Sequence, residues 1–248
     1  MGSVRLSWRW AIVTARITAI LAWFLIIILP HLLLTLFGAR HVIPPGFLKG
    51  VGWLAGLRVR VEGRPAPGRL LLISNHLSWL DILALAGAGR AAFVARSSLA
   101  DQPMLRWLCE QNDTVFITRD QRGTVAGQIS QVAQALASRR LVIFPEGTTG
   151  DGRRVLPFKS PLLAAAEPVA TAGAPITIQP VALDYQDASE IAWPDHESGD
   201  RNALRLLART APIRLTIRFL APLQGPAIAN RKTMAGAAQA AIERALRL

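Results

Sequence analysis

Cysteine is nearly absent from this chain, and acidic residues are scarce beside basic ones. Cys109 is the one cysteine among 248 residues. A single thiol excludes an intrachain disulfide and a cysteine metal cluster, and it is typical of a reducing, cytoplasmic setting. Only 16 acidic residues stand against 28 basic ones, which gives a formal net charge of +12. A charge of this sign has two common partners, nucleic acid and an anionic membrane surface.

The apolar run near the N-terminus decides between these partners. With His31 taken as neutral, Ile17–Phe37 carries no charge, and as a helix it would be about 32 Å long, close to one hydrocarbon thickness. Basic residues bracket it: Arg5, Arg9, Arg16, Arg40, Lys49, Arg58, Arg60 and Arg64. The chain shows neither a nucleic-acid reading motif nor a dense basic run with aromatics. We therefore expect membrane lipids, and no nucleic acid, as partners.

Pro30 interrupts the apolar run and leaves two arrangements open. Because proline removes a helix hydrogen bond, the run can form two shorter helices, Trp10–Leu29 and one from His31 onward, that enter one leaflet and return. A single kinked span is the other arrangement. His41–Val51 is rich in proline and glycine and is predicted to be a turn-rich linker. We divide the chain into an anchoring segment with its linker, 1–50, and a second domain, 51–248.

Beyond the linker, short apolar strands alternate with helices. The predicted strands are Leu57–Val61, Leu70–Ile73, Ala92–Ala95, Thr114–Thr118, Leu141–Phe144, Ile176–Leu183 and Ile213–Leu220, and the predicted helices include Gly123–Ser138 and Arg231–Leu248. Ala188–Asn202 is polar and is predicted to be a surface loop. The alternation predicts an α/β fold: a mixed, largely parallel central sheet flanked by helices, with an N-terminal membrane-embedded helical segment.

A histidine and an aspartate follow the second predicted strand, within Ser74–Asp81. His76 is suited to removing a proton from an alcohol near neutral pH, and Asp81 lies about one helical turn later, where its carboxylate can accept from the imidazole. The pair alone is a weak signal, because Asn75 or Ser78 capping a helix beside a surface Asp81 would explain the same residues. A second segment strengthens the catalytic interpretation.

That segment is Phe144–Thr149, directly after the predicted strand Leu141–Phe144. Pro145 marks the end of the strand, because proline cannot donate a hydrogen bond within a central strand. Gly147 permits a tight turn that brings backbone N–H groups close to a ligand. Glu146, at the strand end, can hold a hydroxyl or an ammonium group of a substrate.

Together these residues resemble the glycerolipid acyltransferase family typified by 1-acylglycerol-3-phosphate acyltransferases. Four ordered blocks carry the resemblance: Asn75-His76 to Asp81, Thr114–Arg119, Phe144–Thr148 and Ile178–Leu183. It covers roughly Val59–Leu183, about half of the chain. The first and third blocks together are specific, and the other two are supportive.

The resemblance implies a membrane-bound O-acyltransferase whose donor is an acyl-carrier-protein or coenzyme A thioester, with no cofactor and no metal. His76 would be the general base and Asp81 its partner. Arg119 would contact the phosphate of a lysolipid acceptor, Glu146 and Gly147 would hold that acceptor, and Pro180 would lie near the acyl donor. The substrate-binding set is completed by Asn75, Ser78, Thr148 and Lys159. We expect the cytoplasmic face of the cell inner membrane as its location.

Two departures from the family pattern concern the acceptor. Asp113 stands where the second block usually begins with glycine, and Thr149 stands where the third usually continues with arginine, which grips phosphate with two hydrogen bonds. Arg153 and Arg154 follow closely and offer compensation. The resemblance implies 1-acyl-sn-glycerol-3-phosphate as acceptor, with phosphatidate as product. The alternative is lyso-ornithine lipid, which is zwitterionic and lacks phosphate, because the sequence around Thr149 is similar to that subgroup.

Two functions of other classes are weighed against acyl transfer. A lipid or thioester hydrolase would use Ser74 or Ser78 within a Gly-x-Ser-x-Gly elbow, which is absent around both serines. A non-catalytic membrane adaptor would have no need of His76, Asp81 and Glu146 together. Acyl transfer is the function that the sequence favours.

Overall fold

The structure, a computed structural model, describes residues 2–118, 125–167 and 176–248, with side chains from Trp8 onward. The helices of the described residues are α1 (Gly2–Leu36), α2 (Pro44–Leu54), α3 (Leu80–Gly89), α4 (Pro103–Gln111), α5 (Val125–Ser138), α6 (Ala188–Ile191), α7 (Gly199–Leu207) and α8 (Arg231–Leu246). The strands are β1 (Leu57–Glu62), β2 (Leu70–Ser74), β3 (Ala92–Arg96), β4 (Val115–Ile117), β5 (Leu141–Ile143), β6 (Thr177–Tyr185) and β7 (Ile213–Phe219). All seven predicted strands are present, each within two residues of its predicted bounds.

The strands form one sheet in the order β1-β7-β6-β2-β5-β3-β4. Strands β6, β2, β5, β3 and β4 are parallel to one another, whereas β7 runs antiparallel to β6 and parallel to β1. The predicted mixed, largely parallel sheet is confirmed. Its parallel part places the carboxyl ends of β6, β2 and β5 side by side at one edge.

Both faces of the sheet are covered by helices, and β2 shows why its sequence is apolar throughout. Leu70 and Leu72 pack into a cluster with residues of α3 and α7, whereas Leu71 and Ile73 pack into a second cluster with residues of α5 and α8. Successive strand residues point to opposite faces, so a strand buried on both sides needs an unbroken apolar run. The core therefore consists of two layers that hold β2 rigidly between them.

The N-terminal segment forms one helix, so of the two arrangements that the sequence left open the helix pair is wrong, and the predicted linker is wrong as well. Helix α1 continues through Pro30 to Leu36, and the chain reverses only after it. The residues predicted to be a linker form most of α2, which begins with Pro44 and Pro45. Proline is favoured in the first turn of a helix, where its missing N–H has no intrahelical acceptor to lose. The predicted domain boundary after residue 50 thus falls inside α2.

Helix α1 is held against the rest of the molecule by hydrogen bonds at three points along its length. Arg16 donates from Nη1 to the carbonyl oxygen of Leu207 at the end of α7 (2.9 Å), and Trp23 donates from Nε1 to the carbonyl oxygen of Phe47 in α2 (3.2 Å). Nearer its end, His31 Nε2 lies 2.9 Å from Gln111 Oε1 of α4. The opposite face of α1 is apolar and exposed at Leu21, Leu25, Leu29, Leu32 and Leu36. By length and composition α1 could also cross a membrane.

Residues 188–202, predicted to be a surface loop, contain α6 and the start of α7. Asn202 is fully buried, accepts a hydrogen bond from Trp79 Nε1 (3.1 Å) and donates to the carbonyl oxygen of Ala192 (3.2 Å). The polar residues of this segment are therefore partly internal, which a prediction from polarity alone misses. The connection Trp193–Ser198 between the two helices lies beside the residues that follow β5.

Candidate active site

The two segments that the sequence marked for chemistry meet at one edge of the sheet. The segment holding His76 follows β2, and the segment holding Glu146 follows β5, the neighbour of β2. Tyr185 ends β6, which pairs with β2 on its other side. Ligand sites of open α/β sheets lie outside the carboxyl ends of such strands. The fold therefore assembles the candidate site from three adjacent strands.

Asp81 receives a set of hydrogen bonds that fixes it against His76. Its Oδ2 lies 2.9 Å from His76 Nδ1 and also accepts from the backbone N–H groups of Leu77 (2.6 Å) and Ser78 (2.9 Å). Its side chain is fully buried, in the first turn of α3, where free N–H groups favour a carboxylate. An ionised carboxylate only accepts, so Nδ1 of His76 carries the proton and Nε2 is left to take another.

The imidazole of His76 is also held from one side by an aromatic ring. The ring of Phe144 stacks on it with 4.1 Å between the centroids and 16° between the planes. The side chain of His76 keeps 18% of its surface exposed, unlike that of the buried Asp81. The histidine therefore has a fixed orientation and an open edge, as a group that exchanges protons with a substrate requires.

Glu146 is buried, and both of its carboxylate oxygens are used within the protein. Oε1 accepts from the backbone N–H of His76 (2.6 Å), and Oε2 accepts from the backbone N–H of Leu156 (2.9 Å). Burial raises the pKa of Glu146 to about 7; the two N–H donors act in the opposite sense, and the nearby charge of Asp81 adds to the increase. The carboxyl group thus ties the loop after β2 to the loop after β5.

Asn75 and Ser78 also bind the protein itself. The amide of Asn75 donates to the carbonyl oxygen of Leu183 (3.0 Å) and accepts from the N–H of Leu183 (2.8 Å), which joins the end of β2 to β6. The hydroxyl of Ser78 is buried and accepts from the N–H of Leu80 (3.4 Å) at the start of α3. In the structure these two side chains hold the loop that carries His76.

The turn after β5 is shaped by Gly147 and bonded to its neighbours on both sides. Gly147 adopts a positive φ of 79°, which favours glycine, and its carbonyl oxygen accepts from Nη2 of the exposed Arg96 (2.7 Å). Thr148 donates to Oδ1 of Asp195 (2.6 Å), and the hydroxyl of Thr149 donates to the carbonyl oxygen of Trp193. Both threonines therefore anchor the connection between α6 and α7 at the rim of the site.

Of the remaining predicted site residues, Lys159 and Pro180 are not assembled around His76 in the same way. Arg119 lies outside the described residues. Lys159 is exposed, and its backbone N–H donates to the carbonyl oxygen of Pro145 (2.9 Å). Pro180 is buried in β6 opposite Ile73 of β2. For these three, contact with a substrate stays a prediction.

A cavity of about 160 Å³ adjoins the side of the site where His76 and Glu146 meet. Arg154 and Tyr185 also line it. Sequence reasoning did not identify Arg96 or Tyr185. Two signals were available: Arg96 ends a strand at the same edge of the sheet, and Tyr185, the only tyrosine of the chain, comes two residues after the fourth block.

The comparisons with known proteins agree with this geometry. The acyltransferase family model matches residues 58–184, which include the segments of His76 and Glu146. The chain therefore belongs to the acyltransferase family and is an enzyme of that class. Relatives that act on lysolipids indicate that its substrates are lipids.

Lyso-ornithine lipid acyltransferases and 1-acyl-sn-glycerol-3-phosphate acyltransferases are both among the relatives. The chain is 36% identical over 215 residues to a lyso-ornithine lipid O-acyltransferase of Brucella abortus, covering 80% of this chain and 79% of that one. It is 36% identical over 143 residues to a 1-acyl-sn-glycerol-3-phosphate acyltransferase of Neisseria gonorrhoeae, covering 56% and 54%. The crystal structure of the 1-acyl-sn-glycerophosphate acyltransferase of Thermotoga maritima has the same fold, with a TM-score of 0.72 at 20% identity over 100% of this chain and 97% of that one.

Proposed function

We propose that this enzyme transfers a fatty acyl group from a thioester donor to the hydroxyl of a lysolipid, with His76 as general base and Asp81 as its partner. The observation that carries the proposal is the 2.9 Å contact between His76 Nδ1 and the fully buried Asp81. A buried carboxylate on Nδ1 fixes the tautomer and stabilises the imidazolium that forms when Nε2 takes a proton. No serine nucleophile is required, because the substrate supplies its own hydroxyl.

In the reaction, Nε2 of His76 takes the proton of the lysolipid hydroxyl while the hydroxyl oxygen attacks the thioester carbonyl. The tetrahedral intermediate then collapses, the carbon–sulfur bond breaks, and the departing sulfur takes the proton from His76. The N–H of Ser78 donates to Asp81, and the N–H of Gly147 donates to the carbonyl oxygen of Phe144 (3.1 Å). Both of these N–H groups are therefore bonded within the protein, and either would have to exchange its partner to stabilise the oxyanion.

Lyso-ornithine lipid is the acceptor that we propose. The relatives with that name match over most of the chain, at 31–38% identity. Thr149 supports the same acceptor. Its hydroxyl is bound to the carbonyl oxygen of Trp193, and threonine lacks the guanidinium with which an arginine would bind a phosphate. Lysophosphatidate is the second candidate, since Arg153 and Arg154 are exposed on the loop that follows Thr149 and carry charge suited to a phosphate.

The donor is an acyl-carrier-protein or coenzyme A thioester, and we propose that the enzyme works on the cytoplasmic face of the inner membrane. Arg153, Arg154 and Lys159 are exposed on the loop that follows Thr149. Positive charge there would attract an acidic carrier protein or the phosphates of coenzyme A. The exposed apolar face of α1 would hold the molecule against the lipid that contains the acceptor.

Acyl transfer by the purified, detergent-solubilised protein tests the acceptor. Acyl-carrier-protein thioester is the donor, with lyso-ornithine lipid and lysophosphatidate as parallel acceptors. We expect kcat/KM to favour lyso-ornithine lipid at least about tenfold, the effect of one well-placed charged contact. Preference of the same size for lysophosphatidate would overturn the proposed acceptor and leave the proposed chemistry in place.

Two substitutions of Thr149 sharpen the comparison. Thr149→Arg would offer a bidentate guanidinium, so we expect it to raise kcat/KM with lysophosphatidate by on the order of tenfold. Thr149→Val is the matched control, because it also removes the hydrogen bond to Trp193 and adds no charge. Equal effects of the two variants on lysophosphatidate would show that position 149 does not select the acceptor.

A further inference from the structure

The only tyrosine of the chain lies against the buried aspartate of the site. Tyr185 ends β6, and its side chain is 4% exposed. Its hydroxyl donates to Asp81 Oδ1 over 2.6 Å. The two residues are 104 positions apart in the chain, so this contact exists only because β6 pairs with β2.

The hydrogen bonds of Asp81 are divided unequally between its two oxygens. Oδ2 accepts from His76 Nδ1 and from the backbone N–H groups of Leu77 and Ser78. For Oδ1, the described part of the chain supplies one donor, the hydroxyl of Tyr185. A carboxylate bonded on one oxygen alone could rotate about its own bond to the chain. The phenol bond at the far oxygen fixes the plane in which Oδ2 meets the imidazole.

We propose that Tyr185 is a positioning residue of the acyl transfer: through Asp81 it sets the direction and the strength of the hydrogen bond to His76. The proposal rests on the proposed roles of His76 and Asp81. Tyr185 itself does not touch the reacting atoms in this account. Its hydroxyl withdraws negative charge from Asp81. Because Tyr185 is held at the end of β6, its hydrogen bond also fixes Asp81, and through Asp81 the imidazole of His76, relative to the sheet.

The surroundings of Tyr185 keep it a donor. Burial raises the pKa of its hydroxyl well above the usual 10, and the negative charge of Asp81 raises it further. The phenol therefore stays neutral throughout the pH range in which the enzyme can work. A neutral phenol can donate to Asp81 but cannot serve as the base of the reaction, which leaves that role to His76.

Tyr185→Phe removes the hydroxyl and keeps the ring. We expect kcat/KM to fall by on the order of ten- to a hundredfold, the effect of losing one hydrogen bond to a charged group. The acid limb of the pH–rate profile should move to higher pH, because an Asp81 that has lost a donor stabilises the imidazolium of His76 more strongly. The other titratable side chains of the cavity beside His76 are unchanged in this variant; they are Glu146, Arg154 and Asp184. Ile217→Val is the control: it shortens a buried side chain of the apolar cluster that also contains Tyr185 and removes no hydrogen bond of the site. Its acid limb should not move.

A second measurement needs no activity. Because Tyr185 is the only tyrosine, the ultraviolet absorbance of phenolate reports its ionisation alone as pH is raised. In Asp81→Asn the phenol should ionise at lower pH than in the wild type, because the negative charge beside it is gone. Ile217→Val should leave this titration unchanged.

The two measurements separate the possible failures. A displaced acid limb together with an earlier phenol titration in Asp81→Asn supports the positioning role. If the acid limb of the pH–rate profile of Tyr185→Phe stays in place, the positioning role is overturned, whatever happens to the rate. A tyrosine with only a structural role would lower activity without moving the acid limb. If His76→Ala stays active, the proposed function fails instead, while the phenol titration still reports whether Tyr185 and Asp81 are coupled.

Discussion

At the scale of single residues, the contact of Glu146 with a substrate stays a prediction, and the structure shows a second role for this residue within the protein. Its position after β5 suggested a group that holds a substrate hydroxyl or ammonium. In the structure both carboxylate oxygens accept backbone N–H groups, of His76 and Leu156. Sequence alone gives the residue type and the strand end, but it does not reveal which backbone groups from distant segments lie nearby.

Stability against pH tests the burial of Glu146. Its pKa of about 7 in the folded protein exceeds the ordinary 4.5, so the folded state binds more protons than the unfolded state between these values. The free energy of unfolding should therefore decrease as pH rises through this range, by at most about 3 kcal/mol from this group. The amide of Glu146→Gln does not titrate. Denaturant unfolding of this variant should therefore show a smaller decrease in the free energy of unfolding between these pH values than the wild type shows.

The matched control for this measurement is Glu110→Gln, which removes an exposed carboxylate paired with Arg106 on α4. It should keep the pH dependence of the wild type. If Glu146→Gln also kept it, Glu146 would already be ionised at the lower end of the range. The two backbone donors would then outweigh its burial.

At the scale of elements, the strands were predictable and the N-terminal helices were not. Short apolar runs bounded by turn residues are typical of strands buried on both faces, and several strands were found on that basis. Leu57–Val61 was predicted instead from its alternating apolar and basic residues, which are typical of a half-exposed strand. Pro30 was interpreted as either a break or a kink within one span, and Pro44 and Pro45 as part of a turn-rich linker. The structure keeps α1 continuous through the first and begins α2 at the others. Proline signals a local restriction on the backbone, and the surrounding packing decides whether a helix ends there.

Helix α1 also carries a prediction about membrane contact. Leu25 is 69% exposed on the face turned away from α2 and α4, and burying one such leucine in lipid contributes about 1.5–3 kcal/mol. Leu25→Glu should therefore weaken binding to phospholipid vesicles by at least about tenfold, measured by flotation.

The control is Val125→Glu, which places the same charge at a partly exposed apolar position on α5. Helix α5 packs on the face of the sheet opposite to the one that α1 contacts. Vesicle binding of this control should equal that of the wild type. Equal losses in the two variants would mean that added charge weakens binding wherever it lies. No loss in either would mean that the outer face of α1 does not contact lipid.

At the scale of the whole molecule, the site depends on contacts between residues far apart in the chain. The pairing of β2 with β5 and β6 brings together His76, Glu146 and Tyr185. The hydrogen bond between His76 and Glu146 spans 70 positions of the chain, and the one between Tyr185 and Asp81 spans 104. Motifs located the segments that meet at the candidate site, because histidine, carboxylates and glycine have limited uses at strand ends. They could not predict the strand order, so the tyrosine behind Asp81 and the arginine on Gly147 were found only in the structure.

The role of His76 in acyl transfer is tested most directly by the release of free thiol from an acyl-carrier-protein thioester. The release is measured with and without lysolipid acceptor, for the wild type and for His76→Ala. His41→Ala is the control, since that histidine is exposed on the connection between α1 and α2. We predict thiol release that requires the acceptor, lost by at least about 10²-fold in His76→Ala and kept in His41→Ala, with all three proteins folded. Release without acceptor would indicate a hydrolase, and unchanged release by His76→Ala would contradict the central claim.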